Sequence, residues 1–296
     1  MVSFGSVFSG MIAVVLLSIY GYFFITHIRR PVYRDMRFLI FLLFIAGIRM
    51  LFPFNLPFNI TIPDKGILVP ISDVVFYEIP GTGLCVYHIM FIIWIAVSMV
   101  LLLLKAVKYH RFIKEAETFT HRDDELDKLL KERSLNRHPE KITALYADVR
   151  ISPFVYGITH PVIVIPDKEY SEEELKYVLD HELTHINQHD LLLKWLFNVL
   201  TAVFWWNPFI WMIRGQADSA IELSNDISLY RKMSESEKAE YAHLIVKTAE
   251  LSMPRSKYYS LSMATHGDPL IRNRVDDLIG TPPIFFTDTS LYISQR

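Results

Sequence analysis

The sequence predicts a mainly α-helical membrane protein in which three spanning helices precede a cytoplasmic α+β domain with a small β-sheet. Hydrophobic residues make up 51% of the 296-residue chain, yet the chain also holds 30 basic and 32 acidic residues. So many charges cannot all lie in lipid, because a charged side chain at the bilayer centre is costly. Since the long apolar runs are concentrated in the first third, we expect an apolar part inside a membrane and a charged part outside it.

Composition excludes two kinds of site. The formal net charge of −2 provides no basic field for a phosphate backbone, so direct nucleic-acid binding is not expected. The single cysteine, Cys85, excludes an internal disulfide framework and a zinc site built from cysteines.

Three apolar runs define the predicted spans. Residues 5–26 carry no charge and match the roughly 20 residues that a spanning helix needs. A signal peptide fits less well, because the basic cluster follows this run instead of preceding it. Residues 38–54 include Arg49 near their end, where its side chain can reach the interface, and residues 83–104 are again uncharged. We therefore assign residues 1–106 to a three-helix transmembrane region.

The basic residues of the first loop and of the segment after the third run set the orientation. They are Arg29, Arg30, Arg34, Arg37, Lys105, Lys108, Arg111 and Lys114. The intervening loop, residues 55–82, has only Lys65. The positive-inside rule then places the N-terminus outside and residues 107–296 in the cytoplasm, as expected of a multi-pass protein of the cell membrane.

The cytoplasmic part begins with short strands and continues into a well-marked helix. Residues 141–147 and 162–165 have the composition of two strands, separated by a turn-prone region around Pro153 and Gly157. Ser171 and Glu174 then form a capping box, which predicts the start of a helix.

That helix carries the pentad His181-Glu182-Leu183-Thr184-His185, an H-E-x-x-H motif. Residues four apart lie on one helical face, so both imidazoles can bind one Zn²⁺ while Glu182 lies beside the open coordination position. Glu182 would be the catalytic base that accepts the proton of the attacking water. The alternative is a surface helix with two unrelated histidines.

A third ligand is available downstream. Glu222 and Asp226 have the E-x-x-x-D spacing found in zincins whose third ligand is a glutamate on a following helix. Asp226 would then hydrogen-bond a ligand imidazole, and Asp190 is a second candidate for such a supporting contact. We therefore expect one Zn²⁺ on His181, His185 and Glu222.

The segment between the two motifs has two interpretations. Residues 191–213 are mostly apolar and could form a fourth spanning helix, but Glu222 would then lie across the membrane from His181. Asn207 and Pro208 interrupt the run, and proline favours a helix end before it. We therefore predict a helical hairpin folded against the inner membrane surface.

Two further predictions concern the substrate. Val162, Ile163, Val164 and Ile165 would form an edge strand to which an extended polypeptide substrate adds as a further strand. His266 and Arg274 lie where a side chain could steady the oxyanion of the tetrahedral intermediate, although ordinary surface residues explain them equally well.

In combination, these motifs resemble the membrane metallopeptidase domain of the BlaR/MecR-type β-lactam sensor-transducers, or antirepressors. The matching pieces are Ser152-Pro153 through Gly157, 161–166, the HELTH pentad with Asp190, Asn207-Pro208, and 222–226. More distantly, the chain is similar to prenyl-protein and HtpX-like membrane zincins, which share the HExxH…ExxxD gluzincin plan.

The resemblance implies a zinc endopeptidase that is activated by a β-lactam or cell-envelope signal and causes the loss of a transcriptional repressor, often with self-cleavage. The expected partners are this protein substrate, membrane lipid, and either a second copy of the chain or a separate sensor protein. Residues 281–296 contain no apolar run for a last span, and no penicillin-binding sensor follows. The chain is thus expected to be truncated or to receive its signal elsewhere.

Two other functions stay open. One is a constitutive processing or quality-control protease of the HtpX type, and the other is a signalling scaffold with structural zinc. The intact Glu182 favours a protease over a scaffold, because a structural zinc site needs no base.

Overall fold

The computed structural model describes residues 4–27, 33–51, 66, 69–134 and 141–251. The described helices are α1 (Phe4–His27), α2 (Tyr33–Leu51), α3 (Val69–Val75), α4 (Val86–Thr118), α5 (Asp124–Arg133), α6 (Glu172–Gln188), α7 (Asp190–Val203), α8 (Pro208–Tyr230) and α9 (Glu235–Leu251). The described strands are β1 (Thr120–His121), β2 (Thr143–Ala147), β3 (Phe154–Tyr156) and β4 (Val162–Pro166). The chain is therefore mainly helical with a small sheet.

The N-terminal apolar runs form α1, α2 and α4. Within the described residues, α4 is the one helix that is both long and apolar enough to cross a membrane, with 33 residues and a mostly exposed apolar surface. The apolar stretch of α1, Gly10–Phe24, is shorter. α1 packs along α2, and both contact α8.

The four strands form one mixed sheet in the order β1-β2-β4-β3. β2 and β4 are parallel, with Ala144 opposite Ile163, whereas β3 pairs antiparallel to β4, with Val155 opposite Ile163. Hydrogen bonding on both sides makes β4 an inner strand. The prediction that Val162, Ile163, Val164 and Ile165 form an edge strand is therefore wrong.

The neighbour that displaces β4 from the edge is β3, in a region where the sequence predicted only a turn. Three residues between Pro153 and Gly157 are enough to add a short strand, and Gly157 then adopts a φ of +85° in the turn back to β4. A side chain at Gly157 would meet the carbonyl oxygen of His160, so the reversal requires glycine.

Helices α5 and α6 pack on the sheet, α9 packs on α6, and together they enclose one large core. Leu126, Ile163, Leu179 and Tyr241 are fully buried there. The predicted capping box begins α6: the backbone N–H of Glu174 donates to Ser171 Oγ at 3.2 Å, and the backbone N–H of Ser171 donates to Glu174 Oε2 at 2.8 Å.

The chain reverses direction between α7 and α8, which pack as a helical hairpin. The break lies at Asn207-Pro208: Asn207 caps α8 by accepting the N–H of Phe209 at 3.0 Å, and Pro208 is the first helical residue, where its missing N–H is harmless. The hairpin packs with α1 and α2 around buried residues that include Val14, Leu43 and Phe197. The hairpin also contacts α4 through α7.

Candidate metal centre

Helix α6 places three candidate functional side chains beside the core that it forms with α5, α9 and the sheet. His181 and His185 are one turn apart, and their Nε2 atoms lie 3.1 Å from each other. Glu182 lies between them in sequence and is buried, as is His185. The spacing of the H-E-x-x-H motif thus brings both imidazoles to one point.

Helix α8 supplies a third donor at the same point. The Oε2 atom of Glu222 lies 3.5 Å from His181 Nε2 and 3.5 Å from His185 Nε2. Within the described part of the chain, these three side chains form a group whose donor atoms all lie within 4.8 Å of one another. The hairpin turn makes this possible, because it returns α8 antiparallel to α7 and back to α6.

The donor set fits a tetrahedral divalent cation. Zinc bound to nitrogen or oxygen at 2.0–2.1 Å has ligand atoms about 3.3–3.4 Å apart, close to the three observed separations. The other ring nitrogens, Nδ1 of His181 and of His185, are each hydrogen-bonded elsewhere, so both Nε2 lone pairs can face the shared point. Two imidazoles and a carboxylate are also a ligand set that zinc prefers.

The orientation of His185 is fixed by α7 and α8. Its Nδ1 donates to Asp190 Oδ2 at 2.7 Å, and the amide of Asn225 donates to the same oxygen at 2.6 Å. All three side chains are buried. The supporting contact predicted for Asp190 is present in this geometry, whereas Asn225 was missed, since nothing in the E-x-x-x-D spacing marks it.

The orientation of His181 depends on α9. Its Nδ1 donates to the hydroxyl of Tyr241 at 2.8 Å, and that hydroxyl donates in turn to Asp226 Oδ1 at 2.8 Å. Asp226 Oδ1 itself lies 3.3 Å from the ring nitrogen. Asp226 therefore reaches the imidazole both directly and through Tyr241. Sequence reasoning missed Tyr241, because no local motif links α9 to α6.

The second oxygen of Glu222 is held by a lysine. Lys194 Nζ lies 3.3 Å from Glu222 Oε1, while Oε2 faces the histidines. In the sequence Lys194 was only an interruption of an apolar run, yet in the structure it neutralises part of the charge on the third candidate ligand. Its contact with Oε1 leaves Oε2 for a metal.

Burial and charge act in opposite directions on the three candidate ligands. Burial lowers the pKa of His181, but hydrogen bonds to Asp226 and Glu222 outweigh it and raise that pKa to about 10. The pKa of His185 is likewise raised against burial, by Glu222 and Asp190. Burial favours the neutral form of Glu222, yet His185 and Lys194 hold its pKa well below the usual value. Without metal, the cluster therefore favours a cationic His181 beside an ionised Glu222.

The pKa of Glu182 moves upward, in the opposite direction to that of Glu222. Burial raises the pKa of its carboxyl, and the nearby histidines oppose that shift only in part. An upward shift of a buried carboxyl's pKa is the direction that general acid–base chemistry by a carboxyl uses. His266 and Arg274, the predicted oxyanion contacts, lie outside the described residues.

Comparison with known proteins places this cluster in a family. The family model described as BlaR1 peptidase M56 matches residues 82–278, well over half of the chain. The chain belongs to the M56 peptidase family. The resemblance to the protease part of BlaR/MecR-type proteins is thereby confirmed, and the matched segment contains α6, α8 and the whole candidate metal centre.

Individual relatives match shorter segments. Regulatory protein BlaR1 of Bacillus licheniformis is 26% identical over 141 residues, which are 47% of this chain and 24% of that protein. Methicillin resistance mecR1 protein of Staphylococcus aureus (strain Mu50) is 25% identical over 169 residues, 55% of this chain and 29% of that protein. Regulatory protein BlaR1 of Staphylococcus aureus is 23% identical over 188 residues, 62% and 32% of the two chains. The aligned parts thus cover about a quarter to a third of each relative.

Proposed function

We propose that the chain is an integral-membrane zinc endopeptidase of the HExxH…ExxxD gluzincin type that acts in signal transduction. The observation that carries the proposal is the convergence of His181 Nε2, His185 Nε2 and Glu222 Oε2 on one point beside the buried Glu182. Family membership supports peptidase activity.

Each residue of the centre has a defined task in this proposal. His181, His185 and Glu222 hold one zinc ion, which when bound supplies Lewis-acid polarisation and lowers the pKa of water. Glu182 accepts the proton of the attacking water and delivers it to the leaving amine. Asp190 and the Tyr241–Asp226 pair keep the two imidazoles in the tautomer that presents Nε2.

The edge that can receive an extended substrate is the outer edge of β3. Phe154–Tyr156 is the last strand of the described sheet on this side, and β3 contacts the HExxH helix, α6. A peptide added beside β3 would make main-chain hydrogen bonds there, next to the helix that carries the H-E-x-x-H motif. We therefore propose β3, in place of β4, as the strand beside which the substrate binds.

The membrane arrangement is part of the same proposal. Helices α1, α2 and α4 cross the bilayer, the N-terminus is outside, and the peptidase domain is cytoplasmic. The positive charges that follow the uncharged run of α4, in the second half of that helix, support this orientation.

The substrate is a protein, either a transcriptional repressor or the chain itself. The name "Regulatory protein" of two relatives supports a regulatory role over constitutive processing of the HtpX type. The activating signal comes through a second copy of the chain or a separate sensor protein, and nucleic acid is not contacted directly.

The decisive experiment replaces the proposed base. Glu182→Gln keeps size and helix propensity but removes the proton acceptor, so we expect zinc content to stay and cleavage to fall by about 10²- to 10⁴-fold. Glu173→Gln, the same change at an exposed position of α6, is the matched control and should leave cleavage unchanged. Repressor turnover or self-cleavage in induced cells is the readout. Equal turnover in the Glu182→Gln and native proteins would exclude a protease and favour a scaffold with structural zinc.

A further inference from the structure

The hairpin α7–α8 carries an uncharged segment that the chemistry of the metal centre does not require. No charged residue occurs between Lys194 and Arg214, and four of the chain's five tryptophans lie in this interval. The charges at its two ends come back to the same side because the helices reverse at Asn207-Pro208. Residues 195–213 therefore form an uncharged part of the hairpin, with the cations Lys194 and Arg214 at its base. We call this part the apolar finger.

The tip of this finger is bonded to both proposed spans beside it. Asn207 Nδ2 donates to Ser18 Oγ of α1 at 3.0 Å, and both residues are fully buried. Trp94 Nε1 of α4 donates to the carbonyl oxygen of Val203 at 2.6 Å. The polar groups at the tip of the hairpin are therefore hydrogen-bonded to side chains of α1 and α4.

The positions of these partners give the depth of the tip. Lys105 is the first charged residue after the uncharged run 83–104. Trp94 precedes Lys105 by three helical turns, which is about 16 Å along α4. Ser18 lies about 13 Å from the cytoplasmic end of α1. The hydrocarbon core of a bilayer is about 30 Å thick, so both distances place the tip near the middle of the bilayer.

A third contact joins α4 to both helices of the hairpin on the cytoplasmic side of its tip. Lys105 Nζ donates to Asn198 Oδ1 of α7 at 2.9 Å and lies over the ring of Trp211 of α8. Asn198 follows Asp190 by about 12 Å of helix. The metal centre at the base of the hairpin is therefore close to the cytoplasmic edge of the membrane.

The outward face of the finger is apolar and uncovered. Trp195, Trp211 and Met212 are 52%, 42% and 43% exposed, and on α4 Met99 is 61% exposed. These side chains continue the lipid-facing surface of α4, since α4 packs against α7. An apolar surface that is continuous with a span and bounded by cations at one level fits acyl chains below a charged headgroup layer.

We infer that α7–α8 is a re-entrant hairpin, which enters the bilayer from the cytoplasm, turns near its middle at Asn207-Pro208, and contacts lipid acyl chains with Trp195, Trp211 and Met212. This inference rests on the proposed function for the crossing of α4. It goes beyond the prediction of a hairpin lying on the membrane surface, because the tip reaches the level of Trp94. It also places the scissile bond of a substrate at the inner membrane surface.

The test measures depth in the full chain, reconstituted in phosphatidylcholine–phosphatidylglycerol vesicles. The single native cysteine allows a Cys85→Ser background in which one nitroxide label is placed at Met212, Met99 or Ile158. Met212 and Met99 are expected at similar depths, and Ile158 is an exposed turn residue that serves as the water control. Collision with oxygen reports the lipid interior, whereas collision with a nickel chelate reports water.

We expect the Met212 and Met99 labels to favour oxygen to the same extent and the Ile158 label to favour the nickel chelate. An oxygen-favouring Met99 with a nickel-favouring Met212 would overturn the re-entrant hairpin and leave the crossing of α4 intact. Nickel preference at both sites would overturn the membrane topology of the proposed function as well.

A second measurement needs no label in the hairpin. In a Trp94→Phe protein every remaining tryptophan lies on the hairpin. Lipids brominated at mid-chain should then quench the fluorescence more strongly than a water-soluble quencher does. Quenching by the water-soluble agent alone would contradict the inference.

Discussion

The two ends of the hairpin α7–α8 differ in the kind of buried polar contact that they make. At its base, Asp190 and Lys194 of α7 lie beside Glu222 and Asp226 of α8, and all four contact the candidate metal centre or its histidines. At its tip, the buried polar contacts join Asn207 to Ser18, and Trp94 to a backbone carbonyl. The base is therefore a charged network and the tip a neutral one.

The difference shows what each end can tolerate. Buried charges are stable only when they are paired, so each substitution at the base leaves an uncompensated partner beside the metal centre. A neutral hydrogen bond costs less to lose. Substitutions at the base should therefore change metal binding, whereas those at the tip should change stability and leave the metal in place.

The largest effect is expected from removing two ligands at once. The double variant His185→Ala, Glu222→Ala leaves a single candidate ligand, His181, so zinc should fall to background in elemental analysis. Unchanged zinc in this folded variant would contradict the assignment of the centre.

Removing a support of one ligand should have an intermediate effect. Asp190→Ala deletes the acceptor of His185 Nδ1–H, so we expect zinc affinity to fall by about 10- to 100-fold in competition with a chelator. Asn207→Ala removes a buried polar side chain from the other end of the same hairpin and is the matched control. Similar losses of affinity in both variants would show that the two ends are not separable.

The pH dependence of zinc binding provides a smaller but specific effect. In the metal-free protein the pKa of His181 is raised from 6.5 to about 10, so its ring is cationic at pH 7 and must lose a proton to bind zinc. Zinc affinity should therefore rise by up to about tenfold per pH unit between these values. The metal-free fold gains stability from this imidazolium at low pH and loses it as pH rises through about 10. Proton release measured with an indicator dye on zinc addition at pH 8 checks the sign, and no release would contradict it.

The smallest effect is expected at the tip. Asn207→Ala removes the donor to Ser18 Oγ and the cap of α8, and we expect unfolding in detergent to become easier by about 1–3 kcal/mol with normal zinc content. A double-mutant cycle with Ser18→Ala isolates the hydrogen bond, since the cap is lost in only one of the two single variants. A coupling energy of zero would mean that this contact does not hold the tip.

The sequence by itself determined the features that depend on neighbours a few residues apart. The ligand pair His181 and His185 follows from the period of the helix, the start of α6 from the Ser171–Glu174 capping box, and the hairpin break from Pro208. Each is set by local backbone geometry, so one segment contains all the information.

Tertiary structure alone decided which segments meet. β4 became an inner strand because β3 paired with it, and Tyr241, Asn225 and Lys194 joined the centre because α7, α8 and α9 fold back to α6. The tip reached α1 because Asn207 and Ser18 are both buried between packed helices, although most of the chain separates them. These contacts depend on the order of strands and the packing of helix faces, which no short pattern in the sequence encodes.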